Sequence, residues 1–426
     1  MLDINLIRDN PEIVENDLKK RGDTEKLKWL RDLREKDSRW RQAKYDLQKI
    51  KHEKNEITKE VARLKKEKKD ASGQLQRLKD IPEKISVYEA EMEAMKAKID
   101  YYLMRLPNIL HDSVPKGEDD SENEVVRQWG KKPEFTFKPR SHVELIESLG
   151  VADTEKAANV AGARFYYLKD ELVLLDMALQ RFALDFLREK GFTLVEPPAM
   201  MRKKPYEGVT SMDDFEEMLY KIEGEDLYLI ATSEHPLAAM HMDETISPDD
   251  IPLKYAGISP CFRKEAGAHG KDTKGIFRVH QFNKIEQFVF CRPEESWDFH
   301  EQLLANAEEL CQKLGLPYRI VNVCTGDIGI IAAKKYDIEV WMPVQDAYRE
   351  LVSCSNCTDY QARRLNIRYG SEGGDKELLH TLNSTAFATG RTMVAIMENF
   401  QNKDGSINIP KVLQPYMNNI KKIEAK

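Results

Sequence analysis

The sequence runs to 426 residues, long enough for two domains, and combines 41% hydrophobic with 33% charged residues, so part of it should fold around a core and part should be mostly surface. A formal net charge of −7 excludes a basic coat over the whole chain, yet the charges are unevenly spread: about 27 basic against 23 acidic residues up to position 112, and about 39 against 50 after it. No apolar run approaches the roughly 18 residues of a membrane span, and the start Met-Leu-Asp-Ile-Asn lacks the order of a signal peptide. No membrane partner and a cytoplasmic location are therefore expected, with the six cysteines as free thiols.

From Leu33 a seven-residue apolar repeat carries Leu33, Trp40, Leu47 and Val61 at one core position and Ala43, Ile50, Ile57 and Leu64 at the other, interrupted by Lys36, Lys54 and Lys68. A second repeat sets Leu78, Ile85, Met92, Ile99 and Leu106 beside Ile81, Tyr88, Met95 and Tyr102. Between Lys68 and Gly73 the pattern lapses and the chain can reverse. An antiparallel coiled-coil hairpin over about residues 26–106 is expected, within an all-α N-terminal domain, 1–111. Pro82 should either kink the second helix or mark its first turn. Residues 26–79 hold 19 Lys and Arg against 9 acids, a basic face able to follow a phosphate backbone, although a structural or partner-binding coiled coil would explain the repeat as well.

The polar, acidic, proline-bearing stretch 112–140 reads as a linker. Beyond it, in 141–426, helical patterns near 141–149 and 173–190 alternate with short β-rich runs at 192–195, 227–230, 287–290 and 318–321. The irregular spacing excludes regular βαβ units and predicts an α+β domain, a mostly antiparallel sheet with flanking helices.

No P-loop and no glycine-rich dinucleotide fingerprint is present. The candidate for ligand binding is 260–286, which reads as strand, polar loop, strand. Gly267, Gly270 and Gly275 suit a loop that closes over a ligand, and Arg263 and Arg278 flank it as positive groups for an anion. On the returning strand Phe282, Lys284 and Glu286 share one face, offering an aromatic plate, a cation and a carboxylate. A buried structural salt bridge would give the same triplet. Cys354 and Cys357 supply only half a tetrahedral zinc site, with no second pair at ligand spacing, so structural thiols and no zinc are expected.

Residues 262–286 closely resemble motif 2 of the class II aminoacyl-tRNA synthetases, in the form peculiar to the seryl enzymes. Three further segments agree: 191–198, ending at Pro198, resembles motif 1, the dimer-interface element; 382–391, ending at Arg391, resembles motif 3; and Thr232-Ser233-Glu234 resembles the family's serine-binding loop. The resemblance covers essentially the whole chain and implies a homodimer that activates L-serine with ATP and Mg²⁺ and charges tRNA(Ser), with tRNA(Sec) as a further acceptor to consider. The hairpin would then be the tRNA-binding arm, reading backbone shape.

By the same resemblance, Arg263 holds the α-phosphate, Glu265 accepts from the adenine amino group, Phe282 stacks on the base, and Arg391 pairs with the terminal phosphate. Lys264, Arg278, Val279, Leu351 and Val352 complete the ATP contacts, and Glu350 with Ser353 holds Mg²⁺. Glu286 and Thr232 hold the serine ammonium group, and Thr385 lies near its hydroxyl. Threonine at position 385 is similar to the archaeal and eukaryotic branch of the zinc-free form. A catalytically silent paralogue acting as an RNA- or protein-binding module is the alternative. Its weakness is that it would have no need to keep this many charges that cost desolvation.

Overall fold

The computed structural model describes residues 1–212, 216–265 and 274–425, so Gly267 and Gly270 lie outside the described residues. The chain divides into two compact units, Met1–Ile109 and a second beginning at Leu110.

In the first unit two short helices, Ile4–Asp9 and Pro11–Lys20, precede the long pair α1 (Thr24–Lys66) and α2 (Ser72–Leu103). Asp23 caps α1 by accepting from the Lys26 backbone N–H at 2.9 Å. Every expected seam residue of the hairpin is buried or half-buried, with Leu33, Ala43, Leu47, Ile57, Val61, Ile81, Ile99 and Tyr102 fully so. Pro82 lies inside α2, ten residues past its start at Ser72, which removes the first-turn alternative. The repeat falters near Lys36 because the buried neighbour is Asp37, whose carboxylate takes Arg8 Nη2 at 2.7 Å and Nε at 2.9 Å. Across the hairpin, Lys51 pairs with Glu89 at 2.8 Å and Arg77 with Glu53 at 2.6 Å, both exposed, which fixes register more than it adds stability.

The second unit is built on one eight-stranded sheet. Its strands are β1 (Glu124–Trp129), β2 (Thr193–Val195), β3 (Leu253–Phe262), β4 (Gln281–Cys291), β5 (Tyr318–Asn322), β6 (Lys334–Met342), β7 (Ala347–Asn356) and β8 (His380–Ala388). They lie in the order β1-β5-β6-β7-β8-β4-β3-β2, antiparallel throughout except for β2 on β3. Helices α3 (Glu171–Glu189), α4 (Ser296–Leu314) and α5 (Thr389–Asn399) bury apolar stripes against the sheet, among them Leu175, Leu179, Leu303, Leu310, Val394 and Met397. The α+β architecture is the one the sequence predicts. Part of the stretch expected as a linker is sheet: 124–129 pairs with β5 as the edge strand, with Val125, Val126 and Trp129 exposed like Glu124, Arg127 and Gln128, so it shows no alternation.

Two β-bulges shape the face that carries the site. Along β7 the register skips at Leu351, so Glu350 and Ser353, three apart, reach the same side of a strand on which odd spacings normally point apart. Along β8 it skips at Ala386, which does the same for Thr385 and Ala388.

Candidate active site

A cavity of about 550 Å³ opens above the centre of the sheet, floored by β4, β7 and β8 and walled by the 231–235 turn, the residues after β3 and the start of α5. Its two ends differ in charge.

At the cationic end, Arg263 follows the last residue of β3. Its backbone N–H donates to His280 O at 2.9 Å and its carbonyl accepts from His280 Nδ1 at 2.8 Å, so the root of the side chain is tied on both sides. Arg263 Nε donates to Ala231 O at 3.4 Å, and the guanidinium stands 5.2 Å from the centre of the Phe282 ring. Glu265 adopts a left-handed backbone, φ 49°, costly for a side-chain-bearing residue and sustained here by Arg164 Nη1, which donates to Glu265 O at 2.8 Å. Its carboxylate pairs with Arg278 at 3.3 Å. Opposite, Arg391 in the first turn of α5 donates through Nη1 to Glu350 O at 2.8 Å and to Glu350 Oε2 at 3.3 Å, with its guanidinium 5.3 Å from the Phe277 ring. Burial acts to raise the Glu350 carboxyl, but Arg391, Lys335 and Arg263 outweigh it and hold the group below the usual carboxylate range.

At the other end the carboxylates dominate and the side chains are buried. Glu286 on β4 is fully buried and accepts from Lys284 Nζ at 2.5 Å and Thr385 Oγ1 at 3.4 Å. The salt bridge that the sequence allowed is therefore present, and it faces the cavity. Lys284 Nζ also donates to Thr232 Oγ1 at 3.2 Å. Asn383 donates to Glu234 Oε1 at 3.1 Å. Burial, reinforced by the charge of Glu286, pushes the Glu234 carboxyl up to about 7. Burial likewise raises Glu286, with Lys284 opposing. His235 is pushed down to about 3 by burial and stays neutral beside the Tyr206 hydroxyl, 2.9 Å away. Among the described residues no three His, Cys, Asp or Glu side chains gather to hold a metal by themselves, and Cys354 and Cys357 are both buried.

Residues 218–400 match the tRNA synthetase class II core domain (G, H, P, S and T), and residues 1–110 match the seryl-tRNA synthetase N-terminal domain. A serine–tRNA ligase of Methanocella arvoryzae is 57% identical over 99% of both chains. The chain belongs to the seryl-tRNA synthetases, class II serine–tRNA ligases. Among solved structures it is similar to the Pyrococcus horikoshii seryl-tRNA synthetase complexed with ATP, with TM-score 0.96, 53% identity and 100% coverage of both chains. It is also similar to the cytoplasmic serine–tRNA ligase of Naegleria fowleri in complex with AMP, with TM-score 0.91, 39% identity, and coverage of 100% of this chain and 99% of that one.

Within this synthetase the cavity brings together Thr232, Glu234, Arg263, Glu265, Arg278, Val279, Phe282, Glu286, Glu350, Leu351, Ser353, Thr385 and Arg391. Three expected contacts are not among its lining residues. Ser233 is buried and donates through Oγ to Gly257 O at 3.3 Å; Val352 points from β7 into the core between sheet and helices; and Lys264 turns its ammonium toward the Tyr220 ring, 5.9 Å away. Sequence reasoning missed Lys335, Asn383 and Phe277, all of which line the cavity. Lys335 had a readable signal, the alternation of Lys335, Asp337 and Glu339 with Tyr336, Ile338 and Val340 along β6. Phe277 had none, because its place is set by packing against Arg391 from α5 and Arg349 from β7.

Proposed function

We propose that the chain activates L-serine with ATP in this cavity, releasing pyrophosphate, and then transfers serine to the 3′ end of tRNA(Ser), with tRNA(Sec) as the second acceptor to test. The observation that carries this reading is the opposition of charge inside one cavity, arginines at one end and buried carboxylates at the other, which suits a polyanion and an ammonium group meeting between them. Arg263 neutralises the α-phosphate while the serine carboxylate attacks it, Phe282 stacks on adenine, Glu265 accepts from its amino group and Arg391 steadies the terminal phosphate. Arg263, whose backbone is tied to His280 on both sides, is in place beforehand, which is where electrostatic catalysis gains most. Glu350 and Ser353 offer a carboxylate and a hydroxyl, too few donors for a complete metal site but the kind of partial set that Mg²⁺ uses when phosphate oxygens supply the rest. Bound there, Mg²⁺ would spread negative charge away from the phosphates. Serine would place its ammonium between Glu286 and Thr232 and its hydroxyl near Thr385. A site that hydrogen-bonds a hydroxyl in this way rejects alanine by leaving its own polar groups unpaired.

The short parallel strand β2 at the sheet edge, with Leu194 and Met200 40% and 43% exposed, supports a homodimer through this segment. The activity is compatible with the cytoplasm, the location proposed here, and no helix of the described residues is long and apolar enough to cross a membrane. For the arm, 1–111, the basic face of 26–79 supports tRNA binding. Removal of 26–106 should leave serine-dependent pyrophosphate exchange within about threefold of the intact chain and reduce tRNA charging by about a hundredfold or more. Exchange and charging assays on the same preparation check this, and equal loss of both would contradict the division of labour.

A further inference from the structure

The amino-acid end of the cavity is already filled by an ammonium group, and it belongs to the protein. Lys284 Nζ sits 2.5 Å from Glu286 Oε2 and 3.2 Å from Thr232 Oγ1, the two side chains assigned above to the ammonium of serine. A hydroxyl oxygen has two lone pairs. Thr232 Oγ1 accepts from Lys284 and, at 3.2 Å, from the Glu234 backbone N–H, so it has no place for a third donor until one leaves. Glu286 Oε2 is similarly engaged by Lys284 and Thr385. The site cannot simply be left without a cation, since Glu286 and Glu234 lie together in a buried setting where an uncompensated carboxylate is costly.

We infer that Lys284 is an internal stand-in for the substrate: its ammonium holds Thr232 and Glu286 in the arrangement serine needs, and arriving serine exchanges with it. The inference rests on the functional reading above and deepens it. In the exchange Glu286 passes from Lys284 to the substrate ammonium, and Lys284 passes from Glu286 to the substrate carboxylate, so each charge keeps an opposite partner throughout. No bond is made or broken. Lys284 suits the task because its ammonium is a compact charge on a long flexible stem, rooted on β4 between Phe282 and Glu286 and still lining the cavity. Arg263, the nearest other cation, directs its guanidinium to the Phe282 ring and to Ala231 O rather than to Glu286. The carboxylate of serine is thereby drawn toward the α-phosphate end, which makes Lys284 a positioning residue for the attack.

The exchange has a signature that a structural salt bridge lacks. Ethanolamine carries the ammonium and hydroxyl of serine without the carboxylate, and 3-hydroxypropionate carries the hydroxyl and carboxylate without the ammonium. In Lys284→Met, ethanolamine no longer competes with an internal ammonium and should bind about tenfold more tightly than to the unaltered chain, whereas 3-hydroxypropionate loses its partner and should bind about tenfold more weakly. Calorimetry at mildly alkaline pH reads both, with ATP affinity as the check that the variant is folded. Shifts of the same sign, or none, would overturn the inference. A crystal structure of the unaltered chain soaked with ethanolamine keeps the question open to decision even if the variant does not fold: Lys284 Nζ should leave Glu286, and retention of that pair with ethanolamine bound would overturn the exchange. Lack of serine-dependent pyrophosphate exchange by the unaltered chain would instead defeat the functional reading beneath it.

Discussion

The two ends of the cavity handle charge in opposite ways. At the nucleotide end the ion pairs are partly open to solvent: Arg391 and Glu350 expose 23% and 48% of their side chains, and Arg278 with Glu265 exposes 33% and 13%. At the amino-acid end Lys284 and Glu286 expose 11% and 1%. A solvated pair is cheap to open, so arginines can leave their carboxylates and close on a polyanion that enters with its own counter-ions. A buried pair must be replaced charge for charge, because its members cannot fall back on water. The first arrangement favours a large, strongly charged ligand. The second favours selectivity for a small zwitterion.

That contrast can be attacked from either side. Arg263→Ala should have the largest effect, lowering the rate of pyrophosphate exchange by about a thousandfold, since it removes a fixed positive group from where charge develops. Its thermal midpoint should move little, because among the described residues the side chain is held by one long hydrogen bond, to Ala231 O at 3.4 Å, and by the Phe282 ring 5.2 Å away. Glu286→Gln should lower kcat/KM for serine by about a hundredfold while KM for ATP stays within about twofold, which steady-state exchange kinetics at varied serine and ATP would read. If both constants moved together, the two ends would not be separable.

The smallest effect is expected from pH. Glu234, pushed up to about 7 by burial and by Glu286, gains a proton as the pH falls through that value, and Glu286 is displaced in the same direction. Loss of negative charge weakens the hold on an ammonium group, so KM for serine should rise several-fold from about pH 8 down to about pH 6, with KM for ATP changing less. The Glu234→Gln variant should flatten that slope.

The same contrast governs how much could be read without a structure. The hairpin seam was legible because helix periodicity repeats the same contact many times, and a single buried charge, Asp37, was enough to blur it at one point. The face of β4 was legible for the same reason at period two: Phe282, Lys284 and Glu286 follow one another on the cavity side. Along β7 and β8 periodicity misleads. The bulges at Leu351 and Ala386 put Glu350 with Ser353 and Thr385 with Ala388 on common faces, and nothing in local composition announces a bulge. The family resemblance named Glu350, Ser353 and Thr385 where alternation could not. Ser233, Lys264 and Val352, named by the same resemblance, turn their side chains to Gly257 O, to the Tyr220 ring and into the core. Edge strand 124–129 stayed invisible because its residues are exposed on both faces and carry no alternation to detect.

The central claim is that one cavity brings a triphosphate and an amino acid with a short hydroxylated side chain into reacting contact. Incorporation of labelled pyrophosphate into ATP by the purified chain, with Mg²⁺ and each of the twenty amino acids in turn, tests it most directly. Exchange with serine alone, or with serine exceeding threonine and alanine by about a hundredfold or more, is the expected result. No exchange with any amino acid, or equal exchange with several, would contradict it.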